Sequence, residues 1–155
     1  MKVHLYERLF LGLTITMLVV FVAALAGSAL AAGIHLPHPT GRVDPAKLSS
    51  TPPFDQPGVK EIAPGRYEVA MIAQLWLFLP NEIRVPAGST VTFRIASRDV
   101  IHGFNIEGTN ANIMLVPGQV STVTVEFKQP GERLIICHEY CGLGHHTMYG
   151  KLVVK

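Results

Sequence analysis

Three regimes of hydrophobic patterning follow one another along this chain, and each change of regime predicts a different part. Between positions 9 and 32 no charged residue occurs. At about 1.5 Å per residue such a run reaches about 36 Å, more than the roughly 30 Å of a hydrocarbon core, so it predicts one transmembrane helix over 9–32 with residues 1–8 ahead of it. Residues 33–65 then show few apolar runs and carry Pro37, Pro39, Pro45, Pro52, Pro53, Pro57 and Pro64. That composition predicts an extended linker running over the membrane surface. From residue 66 onward the period is two. Val91, Phe93 and Ile95 alternate with Thr92 and Arg94, and Val123, Val125 and Phe127 alternate with Thr124 and Glu126, the pattern of half-buried strands. Further strands are expected over 67–79, 133–136 and 149–154, with turns at Pro86-Ala-Gly88, Pro117-Gly118 and Pro130-Gly131. Several short strands so punctuated predict an all-β sandwich over 66–155, about one domain in size.

Charge gives the helix a direction. Lys2 and Arg8 precede it and no Lys or Arg follows before Arg42, so the positive-inside rule places the N-terminus in the cytoplasm and the sandwich outside. A cleaved signal peptide is the alternative, since Ser28-Ala-Leu-Ala-Ala32 offers small residues for cleavage. The apolar run exceeds the usual signal core of about 7–15 residues, which favours a retained anchor. The whole chain carries a net charge of +2, and leaving out Lys2, Glu7 and Arg8 gives +1 for the portion beyond the helix. Neither a phosphate-cradling glycine motif nor a cluster of basic residues occurs, so neither nucleotide nor nucleic acid is implied as a partner. The haem-attachment pattern C-x-x-C-H is also lacking.

The densest chemistry lies near the C-terminus. Both cysteines of the chain, Cys137 and Cys141, stand four apart, with His145 four further on and Met148 three beyond that. Taken alone, the pair suits a disulfide equally well, Met148 a core position and His145 the surface. Taken together, they make a soft-ligand loop, because thiolate and thioether favour copper while imidazole suits several metals. Zinc competes for a Cys/Cys/His set, but the spacing is unlike paired C-x2-C or H-x3-H sites. A mononuclear blue-copper loop has one Cys, one His and a downstream Met, with a second His from an earlier strand; here there is one thiolate more. A second thiolate can bridge, so that two ions share both sulfurs. The early histidine is expected to be His102, which follows a strand-like run 35 residues before Cys137. His4 is at the membrane end, and His35 and His38 fall in the proline-rich segment. His138 and His146 are read as loop residues that face solvent or touch the ligands from outside.

These residues resemble a known family. The run Cys137-x3-Cys141-x3-His145-x2-Met148 with His102 upstream is similar to the dinuclear copper A site of cytochrome c oxidase subunit II. The stretches Val100-Ile-His-Gly-Phe104, Glu107-Gly-Thr-Asn110, Pro117-Gly-Gln-Val-Ser-Thr122 and Tyr140-Cys-Gly-Leu-Gly-His145 resemble the short, single-helix subunit II of ba-type oxidases. The resemblance implies a cupredoxin-like Greek-key β-sandwich on one transmembrane helix. It further implies that Cys137 and Cys141 bridge both coppers, that His102 and Met148 complete one, and that His145 with the backbone carbonyl of Glu139 completes the other. Glu139 departs from the uncharged residue of the short subunits and agrees with the larger aa-type oxidases, whose glutamate also binds magnesium at the interface with subunit I. Two of the three magnesium ligands would then lie in another chain.

The expected function is that of subunit II of a haem-copper terminal oxidase, which accepts electrons from cytochrome c and passes them to haem in subunit I for reduction of oxygen to water. Alternatives from other classes are a copper A domain serving a nitric oxide or nitrous oxide reductase, and a stand-alone copper-binding cupredoxin. Trp76, within Gln74-Leu-Trp-Leu-Phe-Leu-Pro80, reads either as a core or membrane-interface aromatic or as an aromatic close to copper. Asp99, Glu107 and Glu139 could together form an acidic cluster near the site.

Overall fold

A computed structural model describes residues 4–32 and 39–155. His35, His38 and Lys2 lie outside the described residues. The chain divides into two compact units, one before residue 37 and one from there on. The first is a single helix, α1 (Leu5–Ala31), which at about 1.5 Å per residue spans about 40 Å. It starts four residues before the charge-free run, taking in Glu7 and Arg8, because a helix can continue into the polar boundary where water solvates those side chains. Its hydroxyls turn back onto its own backbone, Thr14 Oγ1 donating to the Phe10 carbonyl and Thr16 Oγ1 to the Gly12 carbonyl, both at 2.9 Å. Such bonds satisfy hydroxyls that lipid cannot. Among the described residues α1 is the one helix long and apolar enough to cross a membrane.

The second unit is a two-sheet sandwich. Its strands are β1 (Pro39–Arg42), β2 (Gly58–Ala63), β3 (Arg66–Gln74), β4 (Leu77–Leu79), β5 (Glu82–Val85), β6 (Ser89–Ser97), β7 (His102–Ile106), β8 (Asn112–Leu115), β9 (Gln119–Phe127), β10 (Gly131–Ile136) and β11 (Tyr149–Val154). One sheet runs β1-β9-β6-β3-β2 with β4 added to β3, and the other runs β5-β11-β10-β7-β8. The pairs β3·β6 and β5·β11 are parallel and the remaining pairs antiparallel. The period of two in β6 and β9 is borne out: Val91, Phe93 and Ile95 are buried, as are Val125 and Phe127. They meet Phe104, Ile106, Ile135 and Leu152 of the opposite sheet. Phe104 packs edge-on to Phe78 with ring centroids 5.9 Å apart and lies 5.6 Å from Phe93, favourable separations for aromatic pairs. At Pro117-Gly118 the expected turn forms, with the Gln119 N–H on the Val116 carbonyl at 3.1 Å and Gly118 at φ +86°, where a side chain would be strained.

Two expectations need correction. The stretch 67–79 is not one strand; it folds back at Leu75 and Trp76, so that Gln74 pairs with Leu77. The described part of 33–65 is not a free linker either. Asp44 caps a short 3-10 helix, Pro45–Ser50, by accepting from the Ala46 N–H at 3.0 Å, and Pro45 opens it where no N–H is needed. This turn drives Leu48 and Phe54, each 1 % exposed, onto Ile72, Ala96 and Val120 on the outer face of the six-stranded sheet. Proline content lowers the chance of regular structure, but two well-placed apolar anchors suffice to fix a segment to a sheet. Phe54→Ala is therefore expected to lower domain stability by about 3–5 kcal/mol, read by chemical denaturation of the full chain in detergent. A loss below about 0.5 kcal/mol, the range of ordinary surface changes, would show that this segment is not part of the cooperative unit.

Candidate metal centre

β10 and β11 are antiparallel neighbours, and their last rung pairs Ile136 with Tyr149. Residues 137–148 form the loop between them. The loop is closed at its base by the Cys137 N–H on the Met148 carbonyl at 3.2 Å. Inside it, Gly142 at φ +113° and a short 3-10 turn, His145–Thr147, reverse the chain so that Cys137, Cys141 and Met148 all point into the core. β7, the other neighbour of β10, begins at His102 and brings its imidazole in from the side. His102, Cys137, Cys141 and Met148 are all at least 96 % buried.

The donor atoms converge. Cys137 Sγ and Cys141 Sγ lie 3.8 Å apart and are unbonded, which removes the disulfide reading for this structure. Cys137 Sγ is 4.0 Å from His102 Nδ1 and 3.3 Å from the Glu139 carbonyl oxygen. Cys141 Sγ is 3.5 Å from His145 Nδ1 and 3.7 Å from Met148 Sδ. His102, Cys137 and Cys141 can place their ligand atoms within 4.8 Å of one another. Two thiols, two imidazoles, a thioether and a carbonyl, most of them buried, form a donor set suited to copper. Each of the other four residues anticipated as ligands thus has a donor atom within 4.0 Å of one of the two sulfurs.

The surroundings orient the donors. Asp99 Oδ1 lies 2.7 Å from His102 Nε2. Burial pushes the Asp99 carboxyl upward, but its bonds with His102 and with the N–H groups of Leu75 and Val100, the latter two both 2.7 Å, outweigh this and hold it below the ordinary carboxylate range. An ionised carboxylate only accepts, so Nε2 carries the hydrogen and the Nδ1 lone pair is left facing the sulfurs. The Gly103 N–H donates to Cys137 Sγ at 3.4 Å. His138 covers that glycine so closely that a Cβ there would sit 2.6 Å from its ring. His146 is exposed.

Sequence reasoning did not find the Asp99–His102 pair, although a carboxylate three residues before a histidine was visible. It also left Trp76 open. The structure sets Trp76 against the ligand loop, with its Nε1–H on the Cys141 carbonyl at 3.1 Å and 39 % of its surface exposed. Phe104 is a core residue, and Tyr140 is exposed and edge-on to the His145 ring at 5.9 Å. The acidic cluster does not form. Glu107 follows the far end of β7, about 17 Å along the strand from His102, and Glu139 pairs with His138 at 3.8 Å.

A two-sheet β-sandwich that gathers His102, Cys137, Cys141 and Met148 in its interior, with the half-buried His145 beside them, is a metal-binding domain of the cupredoxin-like class. Residues 62–155 match the family described as cytochrome c oxidase subunit II, periplasmic domain. A cytochrome c oxidase subunit 2 of Thermus thermophilus is 44 % identical over 154 residues, covering 97 % of this chain and 92 % of that protein. A solved haem-copper terminal oxidase dimer contains a chain that superposes with a TM-score of 0.77 at 35 % identity, covering 97 % of this chain and 99 % of its own. The periplasmic domain of subunit II of the Bradyrhizobium japonicum cytochrome oxidase, 19 % identical over 57 % of this chain and 83 % of that one at a TM-score of 0.53, shares the fold. The chain belongs to the subunit II family of the haem-copper oxidases, and so is part of an oxidoreductase complex with a subunit I.

The metal-free site has a pH dependence. Burial, then the nearby Cys137, raises the Cys141 thiol from 9.0 to about 11. Metal takes the thiolate, so binding at neutral pH must expel this proton. Apparent copper affinity of the metal-free chain is expected to climb about tenfold per pH unit between pH 6 and 8 through this thiol alone, measured by chelator competition. A flat profile would show that Cys141 is already ionised. For folding without metal the sign is opposite: the neutral thiol's contribution is present below the unfolded value and is lost as pH rises through about 11.

Proposed function

We propose that this chain holds a binuclear copper centre, takes single electrons from a cytochrome c outside the cytoplasmic membrane, and passes them to haem in subunit I, where oxygen is reduced to water. The observation that carries this reading is the pair of buried, unbonded thiols 3.8 Å apart with an imidazole Nδ1 beside each. A copper pair held by both thiolates would supply one-electron transfer, with the charge shared so that each metal–ligand bond would change little. Cys137 and Cys141 would bridge, His102 and Met148 complete one ion, and His145 and the Glu139 carbonyl complete the other. The Glu139 side chain is 41 % exposed with its carboxylate turned to His138, and it is the group through which magnesium would be shared with subunit I. The anchor would be α1, and the copper domain would be the sandwich of residues 66–155 together with β1, the 3-10 turn and β2 that pack onto it. Arg8, just ahead of the charge-free run 9–32, and the lack of Lys and Arg from there to Arg42 support a cytoplasmic N-terminus.

The full chain in detergent is expected to bind two coppers and to be purple when mixed-valent. Cys141→Ser should remove that colour and leave at most one copper, as read by metal analysis and the visible spectrum. One copper in the fully loaded wild type would overturn the binuclear assignment.

Donor docking is governed by the surface around the loop. Leu143 and Tyr140 are 86 % and 77 % exposed, and Val100 and Ile101 are also exposed just before His102. Net charge beyond the helix is only +1, so long-range steering is weak and apolar contact carries the encounter. The second-order rate of cytochrome c oxidation by the assembled complex should fall only modestly from low to physiological salt. A steep fall in stopped-flow rates would identify a charged docking site instead.

A further inference from the structure

We propose that the turn at Leu75 and Trp76, which supplies no ligand, is a strap that ties the His102 side of the centre to the Cys141 side and keeps the two sets of donors in register. The proposal rests on the copper reading above for the identity of the metal. The turn itself has no slack: β3 ends at Gln74, β4 begins at Leu77, and those two residues pair. From it the Leu75 N–H reaches Asp99 Oδ2 at 2.7 Å, while Asp99 Oδ1 lies 2.7 Å from His102 Nε2. One residue on, the Trp76 Nε1–H reaches the Cys141 carbonyl at 3.1 Å. The indole also lies flat against the loop backbone, where a Cβ on Gly144 would stand 2.4 Å from the ring and one on Gly142 3.2 Å from Nε1. Hydrogen bonds within the loop, such as His145 N–H to the Gly142 carbonyl and Thr147 N–H to the Gly144 carbonyl, shape its own turns. Trp76 reaches it from another strand pair. Trp76 and Asp99 are thus positioning residues: they touch the backbone and the imidazole, not the ion.

The strap explains the small residues at 142 and 144, because the loop can lie under an indole only where side chains are missing. It also separates two roles for Trp76. A merely electron-conducting aromatic would change transfer rates and leave the centre itself unaltered.

The test uses the full chain assembled with subunit I in detergent and loaded with copper. Trp76→Phe keeps a ring over Gly144 and removes the N–H; Trp76→Leu removes both. Copper loss to excess chelator should be about fivefold faster in Trp76→Phe, the usual worth of one hydrogen bond, and at least about tenfold faster in Trp76→Leu, once packing goes too. Both should shift the visible spectrum and the reduction potential. Gly144→Ala should weaken copper retention when Trp76 is present and add little in the Trp76→Leu background, since its methyl conflicts with the indole. If Trp76→Leu does not assemble, Trp76→Phe and Gly144→Ala carry the test. Wild-type copper half-life, spectrum and potential in Trp76→Phe and Trp76→Leu would overturn the strap, even with slower electron uptake. Failure of the wild type to take up copper would overturn the metal reading and the strap with it, and is seen before any variant is loaded.

Discussion

Ile136 and Tyr149 face each other on the final rung of the β10·β11 pairing, and every residue between them belongs to the ligand loop. Because side chains alternate across a strand, a slip of one residue in this register would turn the buried positions of β10 and β11 toward solvent and carry the loop's base with them. Cys137 and Met148 sit at that base, joined by a backbone hydrogen bond. Their inward direction is therefore set by the sheet. Register is in turn enforced by burial of Ile135, Leu152 and Val154, which the opposite sheet covers. The hydrophobic core and the donor geometry are one arrangement, since Cys137, Cys141 and Met148 belong to the same buried cluster as Phe93 and Phe104.

Burial at this site has two opposed effects. Removing water raises the Cys141 thiol, which disfavours the charged form that a metal needs. The same burial strengthens the bond from His102 to Asp99 and the bond from the Gly103 N–H to Cys137, which orient an imidazole and a sulfur. Such a site is costly for the chain to hold without metal and well matched to a bound cation. The protein offsets that cost with rigid neighbours: a strand end for His102, a hairpin for Trp76, and a loop closed at its base.

Around this centre the surface is apolar where the loop emerges and nearly neutral overall, while the other compact unit is an apolar helix with no buried face of its own. Both features suit a subunit that works within an assembly. A helix that is hydrophobic on every side is satisfied by lipid or by other helices. Leu143 and Tyr140 stand exposed on the loop that carries the donor atoms.

Much of this was legible in the sequence. The charge-free run predicted α1, the period of two predicted β6 and β9, and the Cys-x3-Cys-x3-His-x2-Met spacing with His102 picked out the residues whose donor atoms converge, because these are local properties that chain neighbours carry in their own chemistry. Other features depended on residues far apart in sequence. Leu48 and Phe54 find their partners in Ile72, Ala96 and Val120, so a proline-rich segment that looks like a linker becomes a cover for the sheet. Trp76 acquires its place only when β3 turns back and sets its N–H on Cys141, 65 positions away. Asp99 was near His102 in the chain, but its bond to Leu75 joins elements 24 residues apart. The sequence by itself determined which atoms can bind metal and that the chain has one membrane-length apolar segment, since both follow from side-chain chemistry and local periodicity. Tertiary structure alone decided which groups hold those atoms in place, because hydrogen bonds and packing between distant strands exist only after the sheets have formed.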